Sequence, residues 1–370
     1  MQHWLPARLA TRLNRGDTLG PAVSDLIEVR PDEKFDVAAV TRWMREKDDL
    51  PRGEPRVRQF GGGKANLTYL LSFPDGAELV LRRPPLGPVA ESSHDMSREY
   101  AVLSRLWKSF ELAPRAYALC EDDSVIGAPF FLMERKEGVV VRGEIPDLYG
   151  SGDDEEANRK LSTVVIDTLV EFHRVEPSEC GLDDLGHPEG FLERQVQGWT
   201  RRWEKAKDDD FPPADEVARW LDSELPDSRE TALLHNDWRL DNMAVSPEDP
   251  GRATAVYDWD MATRGEPLAD LGTLMASWFD PGEAPGDLSM MPTNAPGWLS
   301  RDAAVRRYQA RSGRDLGQVD WYLVFGTWKL GVILQQIYIR WLRGQTQDRR
   351  FASMGEGART LFRLAAARRP

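Results

Sequence analysis

The segment Leu233 to Asn242, LLHNDWRLDN, places several polar side chains directly behind a pair of leucines. Asp237 and Asn242 follow a short apolar run, and their spacing lets two oxygen-bearing side chains converge on one small volume. Asp258, in the downstream segment YDWD, is expected to end the partner strand of the same hairpin and to reach the same place. One carboxylate and one amide oxygen suit Mg²⁺, which takes few protein ligands. Asn242 and Asp258 are therefore predicted to bind Mg²⁺, which leaves Asp237 to accept a proton.

This division of roles matches the requirements of phosphoryl transfer. That reaction needs metal on the phosphates, an acidic group at the nucleophile and added positive charge at the transferring group. Arg239 is the candidate for the added charge. The order H-x-D-x-x-x-x-N followed by a second Asp also matches the catalytic loop and metal-binding strand of protein kinases, with YDW in the place of D-F-G. Because H-x-D-x-x-x-x-N alone occurs often by chance, the interpretation depends on the residues that precede it.

Three upstream features occur in the order that a nucleotide site requires. A glycine-rich turn, Gly61 to Gly63, lies between two strand-like segments. On the next strand Val80 and Arg82 share a face, because side chains alternate, so Val80 is placed to line an adenine pocket and Arg82 to reach the phosphates. Glu99, in the first turn of the following helix, is the expected partner of Arg82. Taken singly, these features are also typical of a flexible turn, an exposed cation and a carboxylate that complements a helix dipole.

The elements around these residues predict an α+β protein with two lobes, since 370 residues exceed what one small core accommodates. Residues 1–30 are expected to be an N-terminal extension without a strand pattern. Residues 31–135 alternate strand, strand, helix, strand and strand, which predicts a small nucleotide-binding lobe with an antiparallel sheet. Residues 136–370 are mostly helical in pattern and are expected to form the catalytic and substrate-binding lobe.

Composition narrows the classes of partner. The formal net charge of −13 argues against binding along a nucleic-acid backbone, which needs a surplus of Lys and Arg. Two cysteines, Cys120 and Cys180, do not make a disulfide framework, so a reducing cytoplasm is the expected location. The longest apolar run, Tyr322 to Leu342, contains Lys329 and Arg340, which predicts a buried or amphipathic helix and no membrane partner. The oligomeric state is left open.

Seven segments in a fixed order resemble the aminoglycoside phosphotransferase-like family, whose members are related to protein kinases but act on small molecules. Within that family the chain is similar to the branch that forms the kinase-like domain of certain acyl-CoA dehydrogenases. The resemblance covers about residues 55–280 and implies the two-lobed protein-kinase-like fold. The segments are RQFGGGKANLTYLL, LVLRRPP, REYAVLSRL, YALCEDDSVIGAPFFLMER, GFLERQVQGW, LLHNDWRLDNMAV and AVYDWDMATRGEPLADLG.

The resemblance also implies a role for each matching position. Asp237 corresponds to the catalytic base, Asn242 and Asp258 to the Mg²⁺ ligands, and Arg239 to the residue near the γ-phosphate. Asp270 resembles a structural acid of the C-terminal lobe, and the segment from Phe131 to Arg135 the hinge that meets adenine. The positions expected to contact the nucleotide are Gly61, Gly62, Gly63, Lys64, Asn66, Val80, Arg82, Glu99, Met133 and Arg135.

The predicted function is transfer of the γ-phosphoryl group of ATP or GTP, with Mg²⁺, to a hydroxyl of a small molecule. The resemblance implies a hydroxyacyl-CoA as one candidate acceptor. Two departures from the family pattern, Ala65 where Ser is frequent and Asn236 where HGD is common, leave a nucleotide-binding pseudokinase as an alternative. A kinase of aminoglycosides or other antibiotics is a second alternative. A protein kinase is disfavoured, because GEPLADLG follows YDWD too soon for a long activation loop.

The remaining polar residues have simpler interpretations. His235 is expected to pack behind the loop and bond to backbone, since Asp237 already supplies a base. Arg83 is expected to be an ordinary exposed cation. Arg194, Arg201, Arg202 and Lys205 fall on one helical stripe beside Trp199 and Trp203. That stripe indicates either a solvated face covering tryptophan packing or a docking surface for an anionic substrate.

Overall fold

The computed structural model describes residues 26–61, 66–85, 95–227, 230–280, 291–346 and 348–369. Its N-terminal part is one antiparallel sheet of β1 (Leu26–Ile27), β2 (Arg56–Phe60), β3 (Leu67–Ser72), β4 (Glu78–Arg83), β5 (Ala116–Cys120) and β6 (Phe130–Glu134). The spatial order of these strands is β1-β2-β3-β4-β6-β5. The β3–β4 turn uses Asp75, whose carboxylate accepts from the backbone N–H of Ala77, and Gly76 at a φ of 86°. Because β4 lies between β3 and β6 in this order, it is internal to the sheet.

Two helices cover the two faces of this sheet, α1 (Val37–Arg45) and α2 (Met96–Leu106). Each begins at an Asp whose carboxylate accepts a backbone N–H of the first turn, Asp36 for α1 and Asp95 for α2. Leu79 and Leu81 of β4 pack in the cluster that contains the apolar face of α1. Val80, between them, packs in the cluster that contains α2 and the core of the second lobe. Alternation along β4 thus turns Val80 and Arg82 toward the second lobe.

The C-terminal part is mostly helical, as expected. Its helices are α3 (Glu155–Phe172), α4 (Pro177–Cys180), α5 (Phe191–Ala206), α6 (Pro212–Ser223), α7 (Leu268–Ala276), α8 (Arg301–Ser312), α9 (Val319–Leu342) and α10 (Met354–Ala367). Its strands are β7 (Val139–Val140), β8 (Ala232–Leu234), β9 (Met243–Ser246), β10 (Asp249–Val256) and β11 (Thr263–Gly265). The α+β architecture with a small sheet-and-helix lobe and a larger helical lobe is confirmed.

The strand pairing around the polar loop differs from the prediction. Strand β8, which precedes His235, pairs with β11, whereas β10, which precedes Asp258, pairs with β9. The expectation that these two strands form one hairpin is therefore wrong. Residues Met243–Ser246, between the two predicted strands, form a fully buried strand of their own. The two predicted metal ligands, Asn242 and Asp258, instead flank the β9–β10 hairpin.

The extension was also predicted in part wrongly. Leu26 and Ile27 pair with Phe60 and Gln59 and add a short strand to the edge of the sheet, although residues 1–30 were expected to lack strand structure. A two-residue strand has no alternation long enough to be recognised in a sequence. The rest of the segment, residues 1–25, lies outside the described part of the chain.

Helices α7 and α9 cross at two glycines. A Cβ on Gly326 would overlap the backbone carbonyl of Gly272, and a Cβ on Gly272 would overlap the carbonyl of Tyr322. Only glycine permits so close an approach of two helix backbones. Asp270, also in α7, accepts backbone N–H groups of the loop that carries Asp237. The crossing therefore fixes the position of α9 relative to that loop.

Helix α9 is the longest helix in the described ranges, with 24 residues. Lys329 and Gln335 lie within it, and both are buried against other helices. Within those ranges, no helix combines the length and the apolar character that a membrane crossing needs.

Candidate active site

The β9–β10 hairpin brings the two predicted metal ligands to one end. Asn242 immediately precedes β9, and Asp258 lies two residues after the end of β10. The backbone N–H of Tyr257 donates to the carbonyl oxygen of Asn242 at 2.8 Å, which continues the pairing of Met243 with Val256. Asp258 has a φ of 66°, a left-handed conformation that turns the chain sharply at this point. Asn242 and Asp258 therefore lie at the same end of one hairpin, although it is not the hairpin that the sequence predicted.

Asp237 lies against Asn242. The side-chain Nδ2 of Asn242 donates to the Asp237 backbone carbonyl at 2.9 Å and to its Oδ2 at 3.0 Å. Arg239 lies on the other side, with Nη2 at 3.5 Å from Asp237 Oδ2 and Nε at 3.0 Å from Asp241 Oδ1. One carboxylate oxygen of Asp237 is thus held by neighbours in its own loop, while its side chain remains 32% exposed.

Two buried tryptophans anchor the loops that carry these residues. Trp238 follows Asp237, is 1% exposed, and donates from Nε1 to the carbonyl of Val165 in α3 at 3.1 Å. Trp259 follows Asp258, is fully buried, and donates to the carbonyl of Val256 at 2.8 Å. Both rings pack against Phe172. Asp237 and Asp258 are therefore each followed in sequence by an aromatic ring that is fixed in the same core.

His235 is structural, as expected. Its Nε2 lies 2.8 Å from the carbonyl oxygen of Tyr257, so Nε2 carries the proton and donates. Its Nδ1 then accepts from the backbone N–H of Asp237 at 3.3 Å. The ring is fully buried, and it joins the loop that carries Asp237 to the segment that carries Asp258.

Asp270 holds the start of the loop. Its two carboxylate oxygens accept from the backbone N–H groups of His235 and Asn236, each at 2.7 Å. Burial alone would raise the pKa of Asp270, but hydrogen bonds from His173 and from the His235 backbone hold it below its ordinary value. Asp270 is therefore a buried carboxylate that binds backbone, the structural role that the resemblance implied.

Asn236 occupies a left-handed conformation with a φ of 67°. Asn is the residue after Gly that adopts this region most readily, because its short amide bonds locally. Here Nδ2 of Asn236 donates to the carbonyl of Met261 at 2.9 Å. Asn236, which stands where the family pattern HGD has glycine, is thus a residue type that fits this left-handed conformation.

Arg82 connects the two lobes. Its Nε donates to Glu99 Oε2 at 2.7 Å, and its Nη2 is hydrogen-bonded to Asp258 Oδ1. Glu99 in α2 is 1% exposed and the Arg82 side chain is 12% exposed. The predicted Arg82–Glu99 ion pair is present, and one guanidinium faces two carboxylates.

That arrangement perturbs Glu99. Burial raises the pKa of Glu99 to about 7, against the opposing charge of Arg82, and the nearby carboxylates of Asp258 and Asp260 add to the rise. For Arg82 burial acts to lower the pKa, but the charges of Glu99 and Asp258 outweigh it and raise the pKa. The guanidinium therefore stays charged, and Glu99 is the member of the pair that changes its protonation near neutral pH.

The expected adenine-facing residues lie on adjacent strands. Val80 of β4 is paired directly with Met133 of β6, and both are almost completely buried on the face toward the second lobe. Arg135 forms an ion pair with Glu78 beyond the end of β6. The structure thus places Val80 and Met133 together, with Arg135 paired to a carboxylate.

The predicted phosphate loop is described only at its two ends. Gly61 accepts a hydrogen bond from Arg30 at its carbonyl oxygen, at 3.3 Å. Asn66 is 3% exposed, and its side-chain amide has no hydrogen-bond partner in the described ranges. Gly62, Gly63 and Lys64 lie outside them.

Two expectations about basic residues meet different outcomes. Arg83 is 2% exposed, so the expectation of an exposed cation is wrong; internal strand β4 buries both of its faces. In the basic stripe of α5, Trp199 and Trp203 are buried and the guanidinium of Arg202 lies 4.3 Å from the Trp199 ring centroid. Arg194 instead binds the carbonyl oxygens of His187 and Glu189. Tryptophan packing beneath the stripe is confirmed; a docking role stays a prediction.

The side chains around Asn242 and Asp258 fit Mg²⁺. Both hydrogen bonds of the Asn242 side chain use Nδ2, which leaves the amide oxygen for a metal. Asp258 uses Oδ1 toward Arg82, and Oδ2 has no partner within the described residues. In those residues no cluster of three or more His, Cys, Asp or Glu side chains could hold a metal by itself. A site with one amide and one carboxylate oxygen depends on phosphates and water for its other ligands, as Mg²⁺ permits.

The sequence did not reveal one buried residue beside this loop, Lys329. Its Nζ lies 3.4 Å from the carbonyl oxygen of Asn236, although the two residues are 93 positions apart. The only signal was a lysine within a mostly apolar run, and that run was predicted to be a buried or amphipathic helix without a specific role for the lysine.

Comparison with known proteins identifies a family. The family model described as the phosphotransferase enzyme family, APH, matches residues 56–322. The chain is 30% identical over 320 residues to acyl-CoA dehydrogenase family member 10 of Mus musculus, covering 85% of this chain and 29% of that protein. It is 34% identical over 260 residues to acyl-CoA dehydrogenase family member 11 of Gallus gallus, covering 69% of this chain and 32% of that protein. The chain thus spans about a third of the length of these relatives.

Solved structures show the same fold. A candidate aminoglycoside phosphotransferase from Ralstonia eutropha JMP134 superposes with a TM-score of 0.77 at 29% identity, covering 90% of this chain and 98% of that one. A thermostable variant of aminoglycoside phosphotransferase APH(4)-Ia, in complex with AMP-PNP and hygromycin B, superposes with a TM-score of 0.55 at 16% identity, covering 89% and 98%. The two-lobed kinase-like fold is confirmed.

Proposed function

The chain belongs to the phosphotransferase enzyme family, and from that premise we propose that it transfers the γ-phosphoryl group of ATP or GTP to a hydroxyl of a small molecule. The observation that carries this proposal is the convergence of Asp237, Asn242 and Asp258 at one end of a hairpin, with Arg82 reaching the same point from the other lobe. Phosphoryl transfer depends on positioning and electrostatic stabilisation, and this arrangement supplies both.

In the proposed reaction the acceptor oxygen forms a bond to the γ-phosphorus, and the bond from that phosphorus to the bridging oxygen breaks. The electron pair of the broken bond leaves with ADP or GDP, and the hydroxyl proton passes to Asp237. Because Asn242 and Arg239 lie at Oδ2 of Asp237, Oδ1 is the oxygen that we expect to accept this proton. Arg82 is placed to bind the phosphates, and Glu99 to hold it while it does so.

Asn242 and Asp258 would hold Mg²⁺, which supplies neutralisation of the phosphate charge when bound. Asp258 would hold the cation through Oδ2, since its Oδ1 is hydrogen-bonded to Arg82. Glu99 would keep Arg82 in place beside the nucleotide, since their hydrogen bond of 2.7 Å does not involve Asp258.

A hydroxyacyl-CoA is the acceptor that we propose to test first. Support comes from relatives that are named as acyl-CoA dehydrogenase family members, whose remaining two thirds lie outside the match. An antibiotic acceptor is the alternative, supported by the neighbour from Ralstonia eutropha that is named a candidate aminoglycoside phosphotransferase. Acceptor identity is independent of the roles proposed for Asp237, Asn242 and Asp258.

The test is a screen of ADP release from MgATP and MgGTP with hydroxyacyl-CoAs, aminoglycosides, macrolides, sugars and choline-like amines. Asp237→Asn keeps the shape of the side chain but cannot take the proton, so we expect transfer to fall by about 10² to 10⁴. Calorimetry should show that the variant still binds MgATP. Equal turnover by wild type and Asp237→Asn would exclude the proposed base. Nucleotide binding without turnover of any acceptor would favour the pseudokinase instead.

A further inference from the structure

Lys329 is a buried cation that the proposed reaction does not use. The residue is 4% exposed in the middle of α9. Its ammonium lies 5.4 Å from the centroid of the Trp199 ring and 3.4 Å from the carbonyl oxygen of Asn236. Among the residues that the structure describes, no carboxylate lies within ion-pair distance of its Nζ. A buried ammonium without a carboxylate partner is costly, so a specific use for its charge is expected.

The glycine crossing explains how Lys329 reaches the loop. Gly326 of α9 touches the backbone of Gly272 in α7, and Lys329 follows Gly326 by three positions, on the same side of the helix. Asp270, two residues before Gly272, binds the loop from α7. Two helices in direct backbone contact thus present one buried carboxylate and one buried ammonium to the same stretch of chain.

These two charges bind opposite sides of Asn236. Asp270 accepts the backbone N–H of Asn236, and Lys329 donates to its carbonyl oxygen. Asn236 has a left-handed backbone, a conformation that persists where the surroundings hold it. Its backbone is therefore held at both ends by side chains from the core of the second lobe.

The peptide unit that joins Asn236 to Asp237 is consequently held at both of its polar atoms. Its carbonyl oxygen faces Lys329, and its N–H, which belongs to Asp237, donates to Nδ1 of His235. A planar peptide unit fixed at both atoms sets the position and direction of the following Cα–Cβ bond. That bond carries the Asp237 carboxylate, so a small rotation here displaces the proposed base.

We propose that Lys329 is a positioning residue for phosphoryl transfer, whose ammonium orients the peptide between Asn236 and Asp237 and so holds the Asp237 carboxylate at the acceptor hydroxyl. This inference rests on the proposed function of Asp237. It predicts that the charge and reach of Lys329 affect turnover more than nucleotide binding, because the Lys329 ammonium donates to the Asn236 carbonyl and, within the described residues, forms no hydrogen bond with Arg82, Asn242 or Asp258.

The charges facing Lys329 from the elements packed around it are Asp237 in the loop, Asp270 in α7 and Arg202 in α5. Burial lowers the pKa of Lys329, Arg202 acts in the same direction, and the two carboxylates oppose them. As the pH rises through this lowered value the ammonium loses its proton. A function that needs the charge should therefore decline at alkaline pH in the wild-type protein.

The test compares Lys329→Met and Lys329→Arg in the full chain, with MgATP and water as the acceptor, and ADP release as the readout. We expect Lys329→Met to lower kcat by about 100-fold, the scale of a small misplacement of a reacting group, with KM for ATP within about twofold of wild type. Lys329→Arg should restore part of kcat and should lose the alkaline decline, because a guanidinium stays charged.

Gln335→Leu is the matched control. Gln335 is a buried polar residue of the same helix, and its side-chain amide donates to Ala206 and Asp208 instead of to the loop. It should lower the melting temperature, because it removes buried hydrogen bonds, without the selective loss of kcat. Hydrogen exchange of the peptide covering residues 234–242 supplies a readout that needs no turnover, and it should quicken in Lys329→Met only.

An unchanged kcat in Lys329→Met, or an equal loss of kcat in Gln335→Leu, would overturn the inference. Full activity of Lys329→Met beside an inactive Asp237→Asn would reject the positioning role and leave the proposed function intact. Full activity of Asp237→Asn would instead reject the proposed function.

Discussion

The guanidinium of Arg82 is hydrogen-bonded to the carboxylate of Asp258, across 176 positions of the chain. Arg82 belongs to the sheet of the small lobe, and Asp258 follows the hairpin of the large lobe. Because Glu99 binds the same guanidinium from α2, a single side chain connects a strand, a helix and the proposed metal site. The relative position of the two lobes is thereby coupled to the proposed nucleotide contacts.

Arg82→Gln should weaken nucleotide binding. A charge-assisted bond to phosphate contributes about 1.5–3 kcal/mol, so we expect KM for ATP to rise by about 10- to 100-fold. Arg83→Gln is the matched control, since Arg83 is the next residue, is buried and faces the opposite side of the sheet. It should lower the melting temperature and leave KM for ATP within about twofold. An equal rise of KM in both variants would show that the loss comes from the sheet and not from the Arg82 contact.

Asp258→Asn should weaken the apparent affinity for Mg²⁺ by about tenfold or more, because an amide oxygen replaces a charged ligand. The measurement is a Mg²⁺ titration of turnover at fixed ATP, together with Mn²⁺ binding followed by electron paramagnetic resonance. Asp260→Asn, two residues further along the same turn, removes the same charge from a side chain that is not a proposed ligand, and a small effect is expected. Equal weakening in both variants would indicate a general effect of charge instead of ligation by Asp258.

Glu99 should make the stability of the unliganded protein depend on pH. Its pKa is about 7 in the folded protein, compared with an ordinary value of 4.5. The protonated form therefore contributes stability that is complete below the ordinary value and is lost as the pH rises through about 7. Glu99→Gln does not titrate, so the free energy of unfolding of wild type relative to this variant should fall between about pH 5 and about pH 8. A constant difference in urea unfolding over that range would contradict the raised pKa.

Asn236 allows a test of the backbone in the loop. Asn236→Gly should keep turnover, because glycine adopts a φ of 67° without strain. Asn236→Val should lower the free energy of unfolding by about 1–2 kcal/mol and reduce turnover as well, because a β-branched residue resists the left-handed region. Urea unfolding and ADP release measure the two effects. Comparable stability of the two variants would show that the loop does not require this conformation.

Much of the site could be predicted because its residues follow local patterns. The two-residue alternation of β4 placed Val80 and Arg82 on one face, and the family resemblance implied Glu99 as the partner of Arg82. The spacing of Asp237 and Asn242 placed both in one loop. The hairpin was predicted wrongly because Met243–Ser246 is a four-residue strand, too short to be distinguished from a connection by pattern alone.

The positions of Lys329 and Arg83 depend on tertiary packing, which no local pattern contains. Lys329 meets the loop because two glycines let α7 and α9 touch, a contact between segments that are more than fifty residues apart. Arg83 is buried because strands β3 and β6 flank β4 on both sides and helices cover the sheet. The local sequence predicted which residues could do chemistry. The residues that hold them in place could be identified only from the tertiary structure.

The contact between Gly272 and Gly326 also constrains how this protein could acquire new acceptors. Neither position accepts even a methyl group without moving a helix that carries Asp270 or Lys329. Selection for a different acceptor would therefore conserve the α7–α9 crossing and vary the side chains that surround it. We expect libraries of variants at the exposed positions of α5 to yield altered acceptor preference, and libraries at the crossing to yield mainly unfolded protein.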